Sequence, residues 1–359
     1  DDVESRGLGD VYKRQDVIHI HTLMGMHIAF LDAAQELGIK TVYTTHDFFG
    51  ICPKSTLYFN GKSCEWNKEC SGCSVCCENA LGIRKMQILQ SRIYRNLKNT
   101  KIVEKIRKSQ KEKVFALEDV YRNADENDKL ISKKYQMLRS GYMEYFDRIT
   151  TIHFNSSYMK EVFSHYMDVN KGIVCNITHK EIKENFYKYN KKLEKGHLAI
   201  TYMGPIAEYK GYFTLKKALD KLYAEGRKEF TLTIYHEIEN PESYMNVKPP
   251  YKYEYLDKVM NNADLIVVPH DVSYGFIVLE ALSYGVPVLV TKEVGAKDLI
   301  EPGKTGIVCD YSSDSIYGEI KKLLDNPNDI EVMKASVKKE FRVNTIDKHT
   351  RELIDKIYI

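Results

Sequence analysis

The sequence predicts an α/β protein in which buried parallel strands alternate with helices, in two domains. Three observations carry this. Residues 263–270 (ADLIVVPH) form an apolar, β-branched run closed by proline, the pattern of a parallel strand buried on both faces. Phe276, Leu279 and Leu282 then recur at helical spacing until Gly285, and 286–291 (VPVLVT) resume as a second buried strand, completing a βαβ unit. The 359 residues, 43% hydrophobic and 29% charged, suffice for two cores.

The elements follow in chain order. Residues 1–15 (DDVESRGLGDVYKRQ) have neither strand nor helix pattern, and 10–15 resemble the translation of a sequencing-adapter end. This stretch is therefore read as a non-native leader on a chain truncated at its amino terminus. Residues 16–21 (DVIHIH) read as an interior strand, 28–37 as a helix and 40–45 as the next strand. A first domain truncated here exposes a long sheet edge. His19 and His21 alternate, so they share one face of their strand. His46 directly follows the strand 40–45, which puts it at the carboxyl end of the sheet, and Asp47 is placed to cap the next turn.

Six of the eight cysteines fall within 52–77, spaced C-x5-C-x2-C-x2-C-C from Cys64 onward. Cys-x2-Cys spacing suits tetrahedral zinc or an iron–sulfur cluster. Cys64, Cys70, Cys73 and Cys76 are thus candidate ligands of a structural zinc in this insertion, and free thiols are the alternative. Between Arg84 and Lys113 stand eleven Lys or Arg and two Glu, with apolar residues at roughly helical spacing. That is a basic amphipathic helix or helix pair (84–113), which either packs on its domain or docks on an anionic inner leaflet. Residues 114–143 complete a helical hairpin, 148–153 return to strand, and 155–163 (NSSYMKEVF) carry an Asn or Ser cap ahead of a helix. The strand 172–177 is the last of a first domain spanning 16–185, and 186–196 is the linker.

In the second domain (197–340), 197–203 is a strand and 204–211 (GPIAEYKG) a loop. A helix follows over 212–224, with Phe213, Leu215, Leu219 and Leu222 apolar. Residues 230–235 are a strand, 237–255 a shortened connection rich in proline and tyrosine, and 316–324 a helix, with one or two more over 332–359. A net charge of +3 gives no argument for nucleic acid. No apolar run reaches the ~20 residues that span a bilayer, and no signal-peptide core is seen. Glu280 is the one carboxylate in an apolar helix. It either accepts hydrogen bonds from vicinal hydroxyls such as those of a ribose, at the strand ends where such sheets bind ligands, or pairs with a surface lysine.

Glu280-Ala281 with Gly285-Val286-Pro287-Val288, and the upstream loop ending in Lys210-Gly211, resemble the donor-binding segments of retaining family-4 glycosyltransferases, as found in bacterial polysaccharide biosynthesis. The resemblance spans about 16–359 and is strongest over 204–310. It implies the GT-B fold, two facing Rossmann-like domains, the first here lacking its leading strands and the last helix (341–359) crossing back to it. It implies transfer of a hexosyl group from a UDP- or GDP-sugar to a hydroxyl on a glycan or lipid-linked acceptor, with no cofactor. Such an enzyme is cytoplasmic, or peripheral at the inner membrane. Lys210 would hold the diphosphate, with Gly204 and Gly211 in its loop. Ser273, Gly275 and Phe276 would border the donor, Glu280 would bind the ribose beside Ala281, and His46 would face the transferred sugar. His46, Lys210 and Glu280 form the catalytic set. Two positions depart from the family pattern: its first glutamate falls on Val272, one residue from Asp271, and its arginine on Pro205. They keep open a non-catalytic nucleotide-sugar-binding partner subunit and a GT-B sugar-nucleotide epimerase.

Overall fold

The structure is a computed structural model that describes residues 15–64, 67–78, 80, 83–101, 103, 125–186, 196–270 and 274–359. The leader 1–14, Asp271, Val272, Ser273, most of the linker and the carboxyl part of the basic segment lie outside the described residues.

In the first domain β1 (Val17–Ile20), α1 (Ala29–Glu36) and β2 (Lys40–Thr45) come in succession. A hairpin of β3 (Tyr58–Phe59) and β4 (Lys62–Ser63) follows, then α2 (Cys73–Cys76), α3 (Ile83–Gln90), α4 (Arg92–Leu97) and α5 (Glu126–Arg148). The chain then re-enters the sheet as β5 (Thr151–Phe154), with α6 (Ser157–Ser164) leading to β6 (Gly172–Val174). The strands lie in the order β1-β2-β5-β6, all parallel. Two signals that start helices are visible in the sequence. Asp125 and Asp128 each accept the other's backbone N–H, a reciprocal cap that starts α5. The Ser156 hydroxyl accepts from Met159 N and starts α6. The described part of the basic segment holds a helix pair, broken where Ser91 caps the second helix through Tyr94 N. Helix α5 runs on to Arg148, whose guanidinium holds Asp32 at 2.7 Å, so the strand expected from 148 starts at Thr151.

The second domain holds β7 (Leu198–Tyr202), α7 (Tyr212–Ala224), β8 (Phe230–Ile234), β9 (Met245–Val247), α8 (Leu256–Asn261), β10 (Leu265–Val268), α9 (Phe276–Ser283), β11 (Val288–Thr291) and β12 (Gly306–Cys309). Helices α10 (Ser313–Asp325), α11 (Asn328–Glu340) and α12 (Ile346–Leu353) close the chain. Its sheet is ordered β12-β11-β10-β7-β8-β9, again all parallel. The strand order reverses between β7 and β10, which is the point where open α/β sheets bind ligands. The connection 237–255 contains β9, paired Leu232 to Met245. Three residues at a half-exposed edge leave too little pattern to read.

Leu215, Leu219 and Leu222 of α7 are wholly buried, each contributing about 2 kcal/mol. Phe213 departs from that face and is 40% exposed. Lys334 of α11 reaches the buried Asp264 at 2.7 Å, and the other Asp264 oxygen accepts Ala199 N, so one carboxylate joins α11 to the first strand of the sheet. The two domains touch directly. Asp298 accepts from the Ser157 backbone N–H and hydroxyl at the start of α6, and the Tyr274 hydroxyl donates to Asn176 at 3.1 Å. Ile357, beyond α12, is buried with Val42 and Cys175 of the first domain. Among the described residues no helix is long and apolar enough to cross a membrane.

Candidate active site

The loop after β7 is shaped by two glycines that a side chain would disrupt. Gly211 has φ +73°, and a Cβ there would lie 2.6 Å from Pro269 Cβ and 3.2 Å from His270 N. Only glycine lets this loop close on the end of β10. A Cβ on Gly204 would meet the Tyr202 hydroxyl at 2.6 Å, and that hydroxyl donates to the Pro205 carbonyl at 2.7 Å. Lys210 ends a short 3-10 turn, its ammonium 5.8 Å from the Tyr209 ring centroid. His270, buried at the end of β10, lies 2.8 Å from the Tyr209 carbonyl. A carbonyl only accepts, so Nδ1 carries the proton and Nε2 is left as the acceptor. Lys210, Gly211 and His270 thus meet at the point of strand reversal.

Gly275 opens α9 at φ +86°, and among the described residues neither α7 nor α9 has a side chain capping its first turn. The first N–H groups of a helix lack the regular partner one turn back and carry the positive end of the helix dipole; in α9 Val278 N donates to the Gly275 carbonyl at 2.9 Å. Glu280, one turn into α9, is 7% exposed and has partners of its own. The Tyr253 hydroxyl hydrogen-bonds it, and His179 Nε2 stands 3.3 Å from its Oε1 without hydrogen-bonding geometry. This replaces the expected surface lysine with a tyrosine and a histidine. Phe276 packs edge-on against His179, ring centroids 5.2 Å apart. Ala281 is wholly buried in the core of the second domain.

In the first domain His46 Nε2 lies 2.9 Å from His21 Nδ1, at the carboxyl ends of β2 and β1. His21 stacks on His19 with centroids 4.3 Å apart. Behind them runs a directed chain. His153 lies 2.7 Å from the Cys175 carbonyl, so Nε2 donates there and Nδ1 accepts from the Thr44 hydroxyl at 2.8 Å. The Thr44 oxygen then accepts from His19 Nε2, and His19 Nδ1 accepts from the Tyr358 hydroxyl, both at 2.6 Å. Burial and neighbouring imidazoles push His19 down to about 4. Burial likewise pushes His153 down to about 4, against the hydrogen bond to Cys175. Burial, then His21, lowers His46. At neutral pH His19, His46 and His153 are therefore uncharged, and Lys210 and the helix ends bring positive charge to the cleft. Asp47 accepts from Phe49 N at 2.7 Å, the expected turn cap.

The cysteine loop bridges the two domains. Tyr58, in β3, stands edge-on to His270 with centroids 5.6 Å apart, and its hydroxyl lies 3.4 Å from Glu208 Oε2 and Tyr311 Oη. A cavity of 530 Å³ opens between this hairpin and α7, lined among others by Lys62, Phe213, Lys217 and Tyr311. Tyr58, His179, Tyr253 and His270 escape a sequence reading, and only His270 leaves a signal, at the end of the run ADLIVVPH. The candidate ligands Cys70, Cys73 and Cys76 sit in two neighbouring thiol pairs that interact with each other and with Cys52. The Cys70 and Cys73 thiols hydrogen-bond each other, as do those of Cys76 and Cys77. Among the described residues the one group of three or more potential ligands with atoms within 4.8 Å of one another lies outside this loop.

Comparison with known proteins adds sequence and fold. Residues 183–340 match the family described as glycosyl transferases group 1. No curated protein matches the chain. Among solved structures, Anabaena Alr3699/HepE in complex with UDP and glucose is 13% identical with a TM-score of 0.56, over 98% of this chain and 81% of that one. The sucrose-phosphate synthase of Thermosynechococcus elongatus is 12% identical with a TM-score of 0.55, over 98% and 75%. The second domain carries the sequence pattern of glycosyl transferases group 1, and the chain as a whole has the GT-B fold of two Rossmann-like domains.

Proposed function

We propose that this protein is a retaining glycosyltransferase that moves a sugar from a nucleoside-diphosphate sugar to a hydroxyl of a glycan or lipid-linked acceptor. The observation that carries the reading is the meeting of Lys210, Gly211 and His270 at the strand reversal of a six-stranded parallel sheet, within a domain of glycosyl transferases group 1 pattern. A structural neighbour of the same fold was solved with UDP and glucose. The chemistry asks for charge on the leaving group. As the bond from the sugar's anomeric carbon to the diphosphate oxygen breaks, negative charge grows on the diphosphate, and the Lys210 ammonium and the open first turns of α7 and α9 stabilise it. The acceptor oxygen bonds to the same carbon from the same face, and its proton passes to the departing diphosphate. Neutral His46, oriented by His21, positions the sugar rather than taking that proton.

Glu280 keeps lone pairs beyond the one that Tyr253 uses, and they bind the ribose hydroxyls. No metal takes part in transfer, since Lys210 and the helix ends carry its role. The exposed Ile88, Leu89 and Leu97 beside Arg84, Arg92 and Lys98 support peripheral contact with an anionic inner leaflet. The experiment is NMR-monitored turnover of UDP- and GDP-sugars with a hydroxyl acceptor. The reading expects a product that keeps the donor's anomeric configuration, and release of nucleotide without transfer to any acceptor would reject it. Val272 and Pro205 favour a second reading, a non-catalytic sugar-nucleotide-binding subunit. Val272→Glu separates the two, because a rise in donor hydrolysis belongs to a weakened enzyme and no change to a binding subunit.

A further inference from the structure

A second cluster of chemical side chains lies where the C-terminal helix meets the first domain, beside Tyr274 of the segment that leads into α9. Cys175 is the first residue after β6 and is 1% exposed. His349 and Glu352 stand three apart on α12, hence on one face. The ligand atoms of these three residues all lie within 4.8 Å of one another, and no other such group occurs among the described residues. Cys175 Sγ is 3.6 Å from His349 Nδ1. Two ligands of one tetrahedral zinc, sulfur at about 2.3 Å and nitrogen at about 2.1 Å, stand about 3.6 Å from each other. The spacing already matches a shared ion.

The surroundings fit as well. The Asn176 backbone holds the His349 ring by a hydrogen bond. Glu352 hydrogen-bonds the Cys175 thiol, and Lys356 pairs with its Oε1 at 2.5 Å, leaving the second oxygen for a cation. Cys175 is buried while the other two are half-buried, so the site has a wall and an entrance.

We propose that Cys175, His349 and Glu352 form a zinc-type divalent metal site that straps the C-terminal helix onto the first domain. Mixed sulfur, nitrogen and carboxylate donors suit zinc, and three protein ligands leave a fourth position for water. The strap joins segments 174 residues apart in sequence. It closes the seam where Ile357 is already buried against Val42 and the Tyr358 hydroxyl meets His19.

The test uses the full reduced chain, with equilibrium dialysis against Zn²⁺ and titration with Co²⁺, whose thiolate charge-transfer band reports sulfur ligation. Cys175→Ser and His349→Ala should each bind about one equivalent less than the natural chain, and Glu352→Gln should bind at least about tenfold more weakly. Zn²⁺ should raise the Tm of the natural chain and leave that of Cys175→Ser unmoved. Unchanged stoichiometry and affinity in all three variants would overturn the proposal and assign any bound ion to the thiols of 52–77. Should Cys175→Ser fail to fold, Glu352→Gln decides alone, and unchanged affinity there refutes the site.

Discussion

Lowering the pH from 7 to 5 should destabilise the protein through His153, by an amount the structure sets. His153 is 1% exposed and neutral, and its two ring nitrogens are committed to the Cys175 carbonyl and the Thr44 hydroxyl. A proton added at Nδ1 turns an acceptor into a donor facing a hydroxyl that already donates to it. Burial pushes its pKa from 6.5 down to about 4, so between those values the unfolded chain binds the proton and the folded one does not. Stability then rises with pH in this window: it is complete above about 6.5, is lost as pH falls, and levels off below about 4. For this group alone the loss is about 2 kcal/mol at pH 5 and about 3 kcal/mol at pH 4. His19 adds loss of the same sign, discounted because its ring is half in solvent. The assay is urea unfolding at pH 7, 6 and 5 for the natural chain and for His153→Gln, which keeps a donor toward the Cys175 carbonyl and cannot titrate. The natural chain should lose about 2 kcal/mol more than the variant over this range. Identical pH slopes in the two proteins would refute the reasoning.

Gly211→Ala should cost about 1–3 kcal/mol, because it adds a strained φ and a 2.6 Å contact with Pro269, and it should weaken nucleotide binding in the same protein; thermal melting and titration read both. Lys334→Ala leaves the Asp264 carboxylate buried and unpaired and should cost about 3–5 kcal/mol in urea unfolding. A loss under about 1 kcal/mol would mean that solvent reaches Asp264. Flotation with phosphatidylglycerol vesicles should recover the chain and phosphatidylcholine vesicles should not, with Arg84→Glu and Arg92→Glu together abolishing recovery; equal recovery on both vesicles removes the membrane contact.

The strands were the most legible part of the fold. Runs such as LIVV and VLVT are apolar because both faces of their sheet are covered, and that leaves a mark in composition alone. Strand β9 left none, being three half-exposed residues on an edge. Lys210, Gly211 and Gly275 could be read because their demands are local: a cation beside a turn, and two positive φ angles. Residues 271–273, on which the family comparison turns, lie outside the described residues. The partners of Glu280 were not legible, since His179 and Tyr253 come from other segments and only folding brings them to α9. The cysteine spacing was legible as local pairs, Cys70 with Cys73 and Cys76 with Cys77. Cys-x2-Cys spacing fixes where thiols can go within one turn, not whether two turns converge. The mixed cluster Cys175, His349 and Glu352 has no sequence spacing to betray it.

Calorimetric titration of UDP and GDP against the natural chain, Lys210→Ala and Glu280→Gln tests the donor site most directly. The account predicts that one nucleotide binds, and that each variant binds it at least about tenfold more weakly, because each removes a charge-assisted hydrogen bond. Binding of neither nucleotide to a folded natural chain, or equal binding to all three proteins, would contradict it.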